Sequence, residues 1–371
     1  MKIHIITGHF YPQLHPRAFR ANELALEFAR RGHEVTVTNC WTINGFDYND
    51  YARKNGFKIK NLNLFHSNLD NEVGNSVTNI YRSGFVSKLK NYLLAGSLFY
   101  RGPLIAKGIQ ISDDTDLVIT SSQPFTCHYG LSLYIKKHGK KWTVVADSGD
   151  PFYNSEQSPK AFWFYFLTKS IYKKFDYLTI PTENAIPLYT PVIEESKIRI
   201  IPQGFRMDNL KLYKGDYSGV PRFAYAGVFY QDIRNPSFLF DYLASIDSPF
   251  EFYLFMRAKD AFVDELIKER PSLKDKVKIA YSKPHDELIY ELSRMNFLIN
   301  IENDSNTQMP SKLIDYGMTG RPIFSCKRGT FSKEKFDEFM KGNYEGDYKV
   351  DVQKYNIVNI ANNILKLVKD R

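Results

Sequence analysis

Near the end of the chain, MPSKLIDYGMTGRPI (309–323) puts Pro310, Ser311 and Lys312 at the start of a helical pattern. A single carboxylate, Asp315, follows one turn later. A helix start exposes free N–H groups and about half a positive charge, and Pro and Ser are residues it favours. A phosphate there would meet the amides near Ser311 and the Lys312 ammonium, with Asp315 in reach of a ribose diol. The same pattern also fits a plain N-cap followed by a solvated aspartate. A second stretch, AGVFYQDIRNP (226–236), ends an apolar run at Gly227 and carries Arg234 ahead of the next helical segment. Glycine admits close backbone approach to a ligand, and the planar fork of arginine suits a diphosphate. A loop arginine in water is the alternative.

Three further stretches carry polar groups at the ends of apolar runs. GHFYPQLHPRAFR (8–20) holds Gly8, His15, Arg17 and Arg20, a positive loop with no G-x-G-x-x-G spacing. His15 alone reads as a surface histidine. VVADSGDPFYN (144–154) offers Asp147 and Asp150, either of which could orient a hydroxyl or take its proton; Asp150, before Pro151, also fits a turn cap. SSQPFTCHYG (121–130) supplies Ser122, Gln123 and His128, the last on the following helix, where a structural histidine is the commoner case. Two aromatic segments, 82–108 and 160–175, contain Lys88, Lys90 and Trp163 and no Asp or Glu. Basic aromatic helices dock on anionic membrane surfaces, and they also form core.

These residues need a frame to hold them. The 371 residues exceed one ordinary core, so two domains are expected. Hydrophobic residues make up 43% and charged residues 25%, ordinary for a globular chain. The formal net charge of +9 suits anionic partners, but no nucleic-acid-binding module is present. Cys40, Cys127 and Cys326 are scattered without metal-ligand or disulfide spacing. No apolar stretch is long enough to span a bilayer, and MKIHIITGHFYP lacks the apolar core of a signal peptide. The expectation is a cytoplasmic protein, peripheral on the inner face of the cell membrane.

Apolar runs at 2–7, 34–40, 116–122, 142–148, 177–182 and 197–204 alternate with helical patterns such as 18–34. That alternation predicts a parallel sheet. A second series, at 222–227, 251–257, 276–282, 296–302 and 322–326, follows a linker over 205–221. The fold class predicted is α/β, with two Rossmann-like doubly wound domains. Residues 1–204 form the first and 205–355 the second. A helix over 356–371 packs back towards the first. Ligands bind at the carboxyl ends of such strands, and facing ends would form a cleft.

In this order, the stretches resemble the family 4 glycosyltransferases of the GT-B fold. MKIHIITGHFYPQLHPRAFRANELALEFARRGHEVTV is similar to their opening strand, loop and helix, and KIRIIPQGFRMDNL to their interdomain segment. FAYAGVFYQDIRNP resembles the glycine loop that opens their second domain. INIENDSNTQMPSKLIDYGMTGRPIFSC resembles their "P-S-K-x-x-E-Y-x-x-x-G-K-P-I" donor site. The resemblance implies a UDP- or GDP-sugar donor and a glycan or lipid-linked acceptor in cell-surface polysaccharide or glycolipid synthesis. It also implies retention of configuration, with no cofactor and no metal.

Carried over residue by residue, Asp315 stands for the ribose-binding Glu and Arg234 for the basic residue on the diphosphate. Gly8, Arg17, Gly227, Pro310, Ser311 and Lys312 complete the donor set. Asp147 and Asp150, with Arg234, are the catalytic candidates. Arg20, Ser122, His128, Lys88, Lys90 and Trp163 are assigned to the acceptor or membrane. Three family positions differ: Val228 replaces a basic residue, Thr307 an acid and Ser122 a histidine. A sugar-nucleotide epimerase and a catalytically silent nucleotide- or glycan-binding protein are the alternatives.

Overall fold

The computed structural model describes residues 1–13, 15–68, 85–122, 124–153, 159–208, 210–229, 234–256, 258–281, 283–302 and 311–369. The chain forms two compact units. Unit 1 comprises Met1–Arg206 with Lys354–Arg371, and unit 2 comprises Met207–Gln353.

Unit 1 is a seven-stranded parallel sheet in the order β3-β2-β1-β4-β5-β6-β7. The strands are β1 (Lys2–Thr7), β2 (Glu34–Asn44), β3 (Lys58–Asn68), β4 (Leu117–Ser121), β5 (Thr143–Asp147), β6 (Tyr177–Ile180) and β7 (Ile198–Ile200). The central strands β4 (LVITS) and β5 (TVVAD) are buried at every position. Helices cover both faces of such a sheet, which is why these strands read as unbroken apolar runs. The helices are α1 (Pro16–Arg30), α2 (Tyr48–Lys54), α3 (Phe85–Leu94), α4 (Leu98–Gly108), α5 (Thr126–His138), α6 (Trp163–Tyr172) and the single turn α7 (Ile186–Tyr189). Strand order reverses between β1 and β4, so the loops after β1, β4 and β5 gather at one end of the sheet.

Unit 2 repeats the plan with five parallel strands in the order β10-β9-β8-β11-β12. They are β8 (Arg222–Ala226), β9 (Glu251–Met256), β10 (Val277–Tyr281), β11 (Phe297–Ile301) and β12 (Ile323–Cys326). Its helices are α8 (Ser237–Ala244), α9 (Ala261–Lys268), α10 (His285–Ser293), α11 (Ser311–Thr319) and α12 (Lys333–Met340). Much of its core is aromatic. Phe223 stacks on Phe297 at 4.9 Å between ring centroids, and Phe336 meets both edge-on.

The chain returns to unit 1 for its last helix, α13 (Ile357–Lys369). Ile357, Ile360, Ala361, Ile364 and Leu367 recur at helical spacing and are buried with Leu24 and Phe28 of α1 in one cluster. Arg31 donates to the Val358 carbonyl at 2.7 Å and to Asn362 Oδ1 at 2.6 Å. Phe205 and Asn356 pair as parallel bridge partners, with the Phe205 N–H on the Tyr355 carbonyl at 2.7 Å. An added Cβ at Gly204 would lie 2.5 Å from Ile357 Cδ1, so the isoleucine packs directly on the glycine backbone.

One strand was not expected from the sequence. β3, KIKNLNLFHSN, pairs with β2 at the sheet edge. Edge position leaves it half solvated, so its polar residues mask the strand pattern. β2 also runs to Asn44, past the expected end at 40.

Candidate functional site

In unit 2 the polar groups gather at the carboxyl ends of β8, β10 and β11. Gly227 follows β8 with φ of 132°, a conformation that side-chain-bearing residues rarely adopt, and its N–H reaches the Phe255 carbonyl at 3.0 Å. Below it, the buried Tyr316 hydroxyl accepts the Ala226 N–H at 2.7 Å. Tyr225 stacks on Phe229 at 4.2 Å and donates to the Val228 carbonyl at 3.0 Å. Arg234 Nη1 reaches the Tyr225 hydroxyl at 3.5 Å and the Val228 carbonyl at 3.4 Å.

Lys312 approaches the same tyrosine from α11. Its Nζ sits 4.2 Å from the Tyr225 ring centroid and donates to the Ile301 carbonyl at 3.4 Å. The residue is only 8% exposed and makes no ion pair among the described residues. Burial, and then the charge of Arg234, push its ammonium well below the ordinary lysine pKa. Two cations thus converge on one tyrosine.

Asp315, one turn along α11, is partly buried and accepts from His285 Nε2 at 3.0 Å. This hydrogen bond, opposed by burial and helped by the charges of Asp315 and Asp286, raises the His285 pKa. Thirty residues separate the pair in sequence, and nothing in the pattern signals it. The packing of α10 beside α11 makes it. A cavity of about 250 Å³ opens beside Gly227, lined by Phe255, Met256, Tyr281, Lys283 and Leu288. Pro310, the Ser311 side chain and Thr307 lie outside the described residues.

In unit 1 several expected site residues are enclosed. Asp147 is 3% exposed and binds Arg20 through two hydrogen bonds, of 2.7 and 2.6 Å. It also accepts from Thr179 at 2.6 Å and lies 3.5 Å from Arg17 Nη1. Burial alone would raise this carboxyl; Arg20 and Arg17 outweigh it and hold the group below the ordinary carboxylate value. Arg20 also donates to the Ile201 carbonyl at 3.0 Å and to that of Pro202. Asp147 and Arg20 therefore tie β5 to the segment after β7, and neither presents a face to an acceptor.

His128 is fully buried between Thr120 Oγ1 at 2.6 Å and Ser148 Oγ at 3.0 Å, and burial pushes its pKa to about 3. It is a neutral core histidine. Gly8 serves packing: an added Cβ would lie 2.1 Å from Pro124 Cδ and 2.8 Å from Trp41. The Arg17 guanidinium covers Gly149, where a Cβ would fall 1.2 Å from Nη2.

Ser122 and the exposed Asp150 do meet, on a cavity of about 280 Å³ at the ends of β4 and β5. Two of its lining cations, Arg101 and Lys160, were not expected as site residues. They sit inside the aromatic segments, whose pattern fitted a membrane surface or core and gave no sign of a cavity.

The two aromatic segments form one patch. The Ala161 N–H bonds the Tyr92 carbonyl at 3.1 Å, and Phe99 stacks on Phe164 at 6.0 Å. Phe162 is 70%, Tyr100 68% and Phe166 63% exposed, with Leu89, Tyr92 and Trp163 beside them. Lys88, Lys90 and Lys169 are exposed on the same helices. No helix among the described residues is long and apolar enough to cross a membrane.

No protein family and no curated protein matches the chain by sequence. Solved structures match its whole length. HepE of Anabaena, in complex with UDP and glucose, aligns with a TM-score of 0.60 and 12% identity over 100% of both chains. The lipopolysaccharide outer core galactosyltransferase WaaB gives 0.57 and 13% over 100% of this chain and 99% of that one. UDP-GlcNAc 2-epimerase from Neisseria meningitidis, bound to UDP-GlcNAc, gives 0.53 and 13% over 100% of both. The chain has the two-domain, Rossmann-like GT-B fold of glycosyltransferases.

Proposed function

We propose that this protein transfers a hexosyl group from a UDP- or GDP-sugar to a glycan or lipid-linked acceptor. The product would be a cell-surface polysaccharide or glycolipid. Configuration is retained and the chemistry needs no metal. The observation that carries the reading is the buried amine of Lys312, which faces a second cation, Arg234, across Tyr225. Holding Lys312 charged away from water without a counter-ion costs several kcal/mol, and a diphosphate would supply one where the described residues supply none to Lys312. HepE in complex with UDP and with UDP-glucose favours a uridine nucleotide.

In this reading the base enters the cavity beside Gly227 and Tyr281, and the ribose diol binds the Asp315 oxygen that His285 leaves open. The bond from anomeric carbon to phosphate breaks through an oxocarbenium-like state, so negative charge grows on the leaving diphosphate. Arg234, Lys312 and the amides at the α11 start stabilise that charge more than the ground state. On the acceptor side Asp150 is the exposed carboxylate, and the buried Ser122 lines the same cavity. The aromatic patch with Lys88, Lys90 and Lys169 rests on an anionic bilayer, since its two segments contain no acid.

Calorimetry with UDP and GDP on Arg234→Ala and Asp315→Ala tests the donor site. Both variants should bind nucleotide at least about ten-fold more weakly, and unchanged affinity in both would falsify the assignment. Co-sedimentation with anionic liposomes should fall as salt rises; complete recovery in the supernatant at low salt removes the membrane claim. A sugar-nucleotide epimerase is the second reading, favoured by the likeness to UDP-GlcNAc 2-epimerase. It predicts an epimeric sugar nucleotide when the donor is incubated without acceptor, where the transferase yields free sugar by slow hydrolysis.

A further inference from the structure

The 280 Å³ cavity of unit 1 has a composition that the donor chemistry does not use. α3 supplies Asn91, the residue capping α4 is Ser97, α4 supplies Arg101, and Lys160 comes from the segment before α6. The Arg101 guanidinium lies 5.0 Å from the Trp41 ring centroid, and Lys160 Nζ lies 5.5 Å from that of Phe152. Phe152 in turn stacks on Phe125 at 4.1 Å and 5° between planes. Both cations are partly buried, and burial lowers the pKa of each. The aromatic faces hold them as charged walls of the cavity.

Two more features adjoin the same space. α5 begins at Thr126, which lines the cavity, so the positive end of that helix faces it. Thr126 is 5% exposed, and its buried Oγ1 has no hydrogen-bond partner among the described residues. The wall carrying Arg101 is fixed. At the neighbouring Gly102 an added Cβ would lie 2.2 Å from Tyr129 of α5, and at Gly130 one would lie 2.5 Å from Ile105 of α4. These glycines let α4 lie directly on α5, which sets the backbone that carries Arg101.

We infer that this cavity binds a phosphate ester on the acceptor. Arg101 and Lys160 neutralise its charge, and the Thr126 end of α5 and Ser97 take the remaining oxygens. A phosphate monoester offers three strong acceptor oxygens and up to two negative charges, which matches two cations, a helix start and hydroxyls better than one carboxylate does. Asp150 sits at the same cavity, where it can take the proton of a hydroxyl on a sugar joined to that phosphate. The walls run directly into the exposed aromatic patch, because Asn91 and Leu98 of the lining alternate along α3 and α4 with Tyr92, Leu94, Phe99 and Tyr100. A phosphate carried on a lipid therefore reaches the cavity from the bilayer side, and a soluble sugar phosphate fits the same cations. The place of this site in a reaction rests on the glycosyltransferase reading, but the binding itself does not.

The test is calorimetry of the full chain with farnesyl phosphate below its micelle concentration, with farnesol, and with glycerol phosphate. Farnesyl phosphate should bind, and Arg101→Gln and Lys160→Gln should each weaken it at least about ten-fold, while farnesol binds far more weakly. Lys160 lies on a partly exposed loop, so Lys160→Gln keeps the test open if Arg101→Gln fails to fold. Glycerol phosphate binding as tightly, with the same losses, identifies a soluble phosphate as the source. Farnesyl phosphate affinity unchanged in both variants, or matched by farnesol, overturns the proposal. UDP affinity should be the same in wild type and variants. A wild type that binds farnesyl phosphate but not UDP keeps this site and removes the donor reading.

Discussion

Replacing Lys312 with methionine separates a ligand-binding lysine from a structural one. Its Nζ has a ring face and one carbonyl at 3.4 Å for company, and Arg234 repels it. Methionine fills nearly the same volume without the charge. Substituting apolar residues for buried charges is neutral or stabilising by ~1–4 kcal/mol. For a unit the size of unit 2, a gain of ~1 kcal/mol raises Tm by ~2–4 °C. The nucleotide-bound state should move the other way. A charge-assisted hydrogen bond to phosphate contributes ~1.5–3 kcal/mol, so nucleotide affinity should fall about ten- to a hundred-fold.

Protons give an independent readout. The folded pKa lies below 10.5, so between the two values the unfolded chain binds more protons than the folded one. Wild-type stability should therefore climb with pH towards 10.5 relative to Lys312→Met. Nucleotide binding restores the ammonium and should take up as much as ~1 proton, seen as a dependence of the calorimetric heat on buffer ionisation. The reasoning fails if the variant keeps wild-type nucleotide affinity. It fails equally if the variant loses more than about 2 kcal/mol without ligand, for then the lysine serves the fold.

His285→Gln should remove a pH-dependent contribution. The raised pKa means that His285 stabilises unit 2 fully below its unfolded value of 6.5 and ceases to do so as pH rises through the folded value. The Tm gap between wild type and variant should hold steady below pH 6.5 and close as pH rises above it, and a gap that stays constant throughout would show that the pair is not ionic. Asp147→Asn should cost ~3–5 kcal/mol by leaving Arg20 buried without its counter-ion. Wild-type stability that fails to drop on acidification more steeply than the variant's in urea melts would refute the ion pair. Gly8→Ala should cost ~1–3 kcal/mol by overpacking against Pro124; an unchanged melt would mean that the loop gives way freely.

The strands buried on both faces were legible in sequence, because β1, β4, β5, β8 and β11 have no solvated face to interrupt the apolar run. β3 was not, since a half-solvated edge strand such as KIKNLNLF carries lysine and asparagine through its length. The expectation of a phosphate site at Gly227, Arg234 and Lys312 rests on residue types whose geometry is local, and the structure brings both cations to Tyr225. The partner of Asp315 was hidden because only tertiary packing brings His285 to it. In unit 1 the reading of Asp147 and Arg20 as functional missed that they satisfy each other: a carboxylate and an arginine 127 residues apart look equally available in a string of letters.

The Phe205–Asn356 pairing has a consequence for the chain as a whole. The points where the polypeptide leaves unit 1 and re-enters it are adjacent, so residues 207–353 form an excursion whose two ends nearly touch. Such an excursion is excisable: a short glycine–serine bridge from Arg206 to Lys354 would rejoin the remainder with α13 still seated against α1. Trimming α13 itself would instead strip a wall from the core that β1 and α1 begin more than three hundred residues earlier in the chain.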